Sequence, residues 1–191
     1  MKTYKIEIKG ISPLIFNIRQ REIDLEKKGL RGDELDEWDE KNWRRKAALG
    51  TKGEVRIPAR WLRKSIINAA TFSRIVPYFA KSKKETYTRY LESIFVESDD
   101  VICSAKELKP YGDYTNKGTQ QRPRKIWEVR PMLEKWNCRF ILHDMFGRMR
   151  IEELKQILAF AGAYVGIGDN RKNNFGRFEV VKIMEVENDK D

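Results

Sequence analysis

The sequence predicts an α+β fold, and three observations carry that prediction. Residues Thr3 to Lys9 alternate Tyr4, Ile6 and Ile8 with Lys5, Glu7 and Lys9, the period-2 pattern of a half-buried strand. Two later segments repeat apolar residues every three to four positions, as amphipathic helices do. A stretch from Gly176 to Val186 with Phe178, Val180 and Ile183 among its apolar positions closes the chain as another strand.

The elements follow in order. After the first strand, Gly10 to Asn17 reads as a turn and a short apolar return toward the core. Ile18 to Glu40 holds nine acids against five bases and reads as a solvated insertion. Ile57-Pro58 then opens a helix over Ala59 to Ala70, with proline in its first turn where the missing N–H costs nothing. On that helix Leu62, Ile66 and Ala69 share one face, and Arg60, Arg63 and Lys64 the other. A second helical stretch is expected over Lys83 to Phe95, and short strand or hairpin material over Asp100 to Leu108. Lys109 to Lys125, with two glycines, two prolines and five bases, reads as a long exposed basic loop. Lys125–Leu133 and Asn137–His143 read as strands, and Ile151, Leu154, Ile157, Leu158 and Ala161 mark an amphipathic helix. Strand, helix, strand, strand, helix, strand is the ferredoxin-like (RRM-like) βαββαβ order, here carrying loop insertions.

Composition narrows the function. The chain of 191 residues carries a formal net charge of +10, and residues 41–90 alone hold fourteen bases to two acids. Such a balance suits a polyanionic partner. No apolar run approaches the roughly 20 residues of a membrane span, and the N-terminus lacks a signal-peptide core, so a cytoplasmic protein without a membrane partner is expected. With one histidine and two cysteines, His143, Cys103 and Cys138, the usual four-ligand zinc site cannot be assembled. No metal site and no cofactor are implied, and both cysteines read as small core residues.

The segment Gly162 to Phe178 combines glycines, Arg171, Lys172 and Arg177, and amides in one loop. Glycine lets backbone approach a phosphate, and Arg or Lys supplies charge, so Gly166, Gly168, Arg171, Lys172 and Arg177 are candidate nucleic-acid contacts. The pattern is no dinucleotide fingerprint, because Arg171 stands where the third glycine of GxGxxG is required. Its alternative reading is a flexible connector.

The run GIGDNRKNNFGRFEV, at 166–180, resembles the glycine-rich loop of the RAMP superfamily, the ferredoxin-like RNA-binding proteins of CRISPR systems. IPARWLRKSIINAA, at 57–70, is similar to the helix entry of backbone subunits of CRISPR effector complexes, and GISPLIFN, at 10–17, to their first strand-to-loop segment. The resemblance implies a single RAMP-like domain over 1–191, with a charged insertion at about 18–45 and a long basic loop at about 109–125. It implies a subunit that grips single-stranded RNA, or single-stranded DNA, independently of sequence. Such subunits assemble along the strand with copies of themselves or with other effector subunits. Arg60, Arg63 and Lys64 would then touch phosphates on the same path as Arg171, Lys172 and Arg177. The insertion and the basic loop would reach a neighbouring subunit or wedge between bases, and Arg44, Arg45, Arg122 and Arg124 within them are candidate nucleic-acid contacts. Trp43 and Trp61, beside Arg44, Arg45, Arg60 and Arg63, are the candidate stacking platforms.

Two other readings stand beside this one. A RAMP-type endoribonuclease would use His143 as general base, or an aspartate among Asp33, Asp36 and Asp39 near a metal ion. Against these stand a strand-end histidine satisfied by hydrogen bonds and a solvated acidic face. A mobile-element protein mimicking a CRISPR backbone subunit would bind effector proteins instead of RNA.

Overall fold

The computed structural model describes residues 1–73, 91, 93–98, 100–104, 107–119 and 122–186, with backbone alone at 116–119 and 122–124. Its main sheet has four antiparallel strands, β1 (Lys2–Gly10), β5 (Ile94–Val96), β9 (Asn137–Asp144) and β10 (Phe178–Val186), in the order β10-β1-β9-β5. Two helices, α3 (Ala59–Ser73) and α4 (Ile151–Phe160), cover one face. Alternation decides which side chains meet them: Tyr4, Ile6, Ile8, Cys138, Phe140 and Leu142 turn inward onto Leu62, Ile66, Ala69, Leu154, Ile157 and Leu158. Lys5, Lys9 and Arg139 stay on the open face. Both cysteines are buried and unbridged, and burial pushes the Cys103 thiol up to about 12.

Two smaller antiparallel sheets flank the first. One holds β2 (Leu14–Ile15), β8 (Arg122–Leu133) and β7 (Lys109–Thr119). The other holds β3 (Ala48–Leu49), β4 (Val55–Pro58) and β6 (Asp100–Ile102). A bridge between Cys103 and Cys138 ties the latter to β9.

Three expectations are corrected. Residues 109–119 and 122–125 are no loop: β7 and β8 pair from Lys109↔Met132 to Thr119↔Arg122 as a long hairpin. Cross-strand pairing satisfies their backbone whatever the composition, and the glycine serves packing. A Cβ at Gly112 would run into the Trp127 ring, which instead meets Tyr114 edge-on at 5.1 Å. Consequently β8 leaves the main sheet, and β5 takes the place expected for it beside β9. The helix expected over 83–95 falls mostly outside the described residues, but its last two residues, Ile94 and Phe95, belong to this strand.

The charged insertion also has structure. It forms α1 (Arg21–Glu26), α2 (Asp33–Asn42) and a 3-10 turn (Trp43–Lys46). Asp39 is buried and meets both Lys27 and Lys46, the latter at 2.7 Å. Lys46, equally buried, donates to the Val129 carbonyl at 2.7 Å and pins the insertion to β8.

Candidate nucleic-acid interface

The three sequence segments that carry the resemblance converge in space. After α4 a π-helical turn (Ala161–Val165) leads into the glycine-rich loop. Gly166, Gly168, Asn170, Asn174 and Gly176 all take positive φ there. At Gly168 an added Cβ would sit 2.6 Å from the Ile15 carbonyl, and at Gly176 it would collide with the Ile167 carbonyl. Close approach is what these positions require. The loop is stitched to residues 10–17 by Asp169 N–H to Ile15 O (2.9 Å), Gly176 N–H to Pro13 O (2.7 Å) and Ile11 N–H to Arg177 O (2.9 Å). Phe16 in turn packs on Trp61 of α3, ring centroids 5.6 Å apart.

Around this junction lies an open groove of about 1100 Å³. Asn17 and Arg19, the end of α3, the hairpin, the π-helical turn and the glycine-rich loop line it. Arg171, Lys172 and Arg177 all stand there, as the sequence groups them. Burial, then the charge of Arg171, pulls the Arg177 guanidinium below its usual range. Its Nη2 donates to the Arg171 carbonyl at 3.1 Å, while Nε and Nη1 are buried without a hydrogen-bond partner among the described residues, as is Asn170 Nδ2.

Arg130 of β8 carries no signal in the sequence, yet it forms part of the groove. Its side chain is 3% exposed; Nη1 donates to Asp169 at 2.9 Å, and Nη2 lies 3.8 Å from Asp113. Nε and Nη2 have no hydrogen-bond partner among the described residues. Three exposed rings stand at the same groove: Phe72, Tyr114 and Tyr164, at 70%, 65% and 69%. No periodicity marks Arg130 or Tyr114, because the hairpin brings them here. Tyr164 lies within the glycine-rich stretch, whose glycines and bases hold all of its sequence signal.

The remaining candidates lie elsewhere. Arg60 and Arg63 line a separate groove of about 780 Å³ with Arg45 and Phe95. Arg63 donates to the Ile94 carbonyl at 2.8 Å, and Arg45 is engaged by both oxygens of Glu26. The two grooves meet along 17–20, whose alternate residues face one and then the other. Lys64 and Arg44 are exposed but line neither, and Arg44 lies over the Trp43 ring at 5.6 Å. Trp43 and Trp61 are half-buried packing residues and line neither groove. Arg122 and Arg124 occupy the hairpin tip, where only backbone is described.

His143 sits on the sheet's open face, stacked on Phe95 at 4.8 Å. Nε2 donates to Glu97 at 3.0 Å and Nδ1 meets the Thr3 hydroxyl at 3.1 Å, so both ring nitrogens are engaged. Asp33, exposed, and Asp36, half-buried, both stand in the first turn of α2, whereas Asp39 is held by two ammonium groups. Among the described residues no three His, Cys, Asp or Glu side chains are placed to share a metal ion, and no helix is long and apolar enough to cross a membrane.

No family model and no curated protein matches the chain. Among solved structures it is similar to a chain of the cryo-EM structure of the type III-B Cmr-beta bound to cognate target RNA. That match has a TM-score of 0.53 at 13% identity and covers 97% of this chain. The chain spans 61% of the neighbour's length. At that identity the likeness is one of fold.

Proposed function

We propose that this chain is a RAMP-like, CRISPR-type subunit that binds single-stranded RNA, independently of sequence, in the groove under the glycine-rich loop. The observation that carries the reading is the groove's combination of cations and rings. Arg171, Lys172 and Arg177 offer charge to a phosphate backbone, and Phe72, Tyr114 and Tyr164 offer faces on which bases stack at roughly 1–3 kcal/mol each. The β10-β1-β9-β5 order, with α3 before β5 and α4 before β10 packed on the same face of the sheet, supports the ferredoxin-like reading. The fold shared with a chain from an RNA-bound complex supports the ligand class. We read residues 1–191 as one domain that assembles along the strand with copies of itself or other effector subunits. Exposed acids of α1 and α2 such as Glu22, Asp24, Asp33 and Glu37 are the complement to a neighbour's basic face.

The test is fluorescence anisotropy with labelled single-stranded RNA across a salt series, comparing the protein with its R171A/K172A variant. The variant is expected to bind every sequence more weakly and to lower the salt slope by about one for each phosphate that is no longer neutralised. Affinity and slope unchanged in the variant would overturn the assignment.

A further inference from the structure

The groove holds a carboxylate where a polyanion is expected to run. Asp169 lines it beside Gly168 and Arg171, with its side chain 36% exposed. Three donors fix it: Arg130 Nη1 at 2.9 Å and Asn17 Nδ2 at 3.1 Å on Oδ2, and the Asn170 N–H at 2.8 Å on Oδ1. Burial alone would raise its pKa, but these hydrogen bonds and the Arg130 charge outweigh it and hold the group below the usual carboxylate range. An ionised carboxylate offers about four acceptor sites. Three are taken by the protein, which leaves capacity for a ligand.

A phosphate is repelled by such a group, whereas an O–H donor gains a short, charge-assisted hydrogen bond from it. The donor that a single strand presents at every nucleotide, whatever its base, is the ribose 2′-hydroxyl, and DNA lacks it. We propose that Asp169 accepts a hydrogen bond from a ribose 2′-hydroxyl and so selects RNA over DNA in this groove. The assignment rests on the groove being the strand's site. Arg130 is the positioning residue: buried beneath the carboxylate, it aims it and offsets its charge toward neighbouring phosphates. Asn17, two residues past β2, holds the same oxygen, and the Ile15↔Asp169 bridge ties the selecting group to β2.

The experiment compares matched RNA and DNA strands, as adenine and as uracil or thymine homopolymers, on the protein and on its D169A and D169N variants. The protein is expected to favour RNA about tenfold, the size of one hydrogen bond to a charged group. D169A should abolish that preference by weakening RNA while leaving DNA unchanged or tighter. RNA carrying 2′-O-methyl groups should bind the unaltered protein like DNA, a readout that needs no variant to fold. Equal loss of RNA and DNA affinity in D169A would mean that Asp169 is only a latch, and would overturn the assignment. So would a preference confined to one base, or equal binding of RNA and DNA by the unaltered protein. Binding of neither strand would remove the groove reading together with this one.

Discussion

At the scale of single residues, burial decides what a charge can do. In the sequence Asp39 is one member of an acidic i, i+3 series, but the fold places it against Lys27 and Lys46 in the interior. Removing the carboxylate takes the nearest counter-charge from two ammonium groups and leaves Lys46 the Val129 carbonyl and Glu128 at 3.8 Å, so D39A should destabilise the protein by about 3–5 kcal/mol, measured by urea unfolding. A change under about 0.5 kcal/mol, ordinary for a surface position, would mean that the group is solvated after all. The difference is not legible in sequence because each of the three aspartates is followed by a glutamate in the same charged run; only the fold, which closes Lys27 and Lys46 onto Asp39, separates it. Arg171, Lys172 and Arg177 are legible because they are close in sequence and share one loop. Arg130, 39 residues before its partner Asp169, is not.

At the scale of elements, period and length decide legibility. β1, α3 and α4 each bury one face over nine or more residues, and β10 packs Phe178, Val180 and Ile183 against the core, so their patterns declare them. β5 has three residues, too few for a period to show. The hairpin is stabilised across strands, by pairs such as Tyr114 with Trp127 in the pocket left by Gly112, and its own sequence reads as turn material. The glycine-rich loop tests the same idea energetically. Gly176 has φ 69° and its hydrogen faces the Ile167 carbonyl, so G176A combines backbone strain with a collision. We expect a loss of about 1–3 kcal/mol and a loss of RNA affinity that exceeds that of R171A alone. Unaltered stability in thermal and urea unfolding would contradict the packing described for this loop.

At the scale of the whole molecule, the net charge of +10 and the grooves act together. In the proposed reading, long-range attraction would bring a polyanion to the surface, and the junction of β2, the hairpin and the glycine-rich loop would give it a place to settle. That junction has a pH dependence of fixed sign. Asp169 titrates below its ordinary value of 3.8 in the fold, so its stabilisation is fully present above that value and is lost as pH falls through the lower, folded one. Stability curves of the protein and D169N should therefore differ at neutral pH and converge in acid. A constant difference down to full protonation would contradict the ionised latch.

In the proposed reading RNA lies in the groove beneath the glycine-rich loop and not in the one beside Arg60 and Arg63. Photo-crosslinking of single-stranded RNA containing 4-thiouridine, followed by mass spectrometry of the adducts, tests this most directly. Adducts are expected at Tyr114, Tyr164 and Phe72. Adducts confined to Phe95 or to the open face of the main sheet would contradict it.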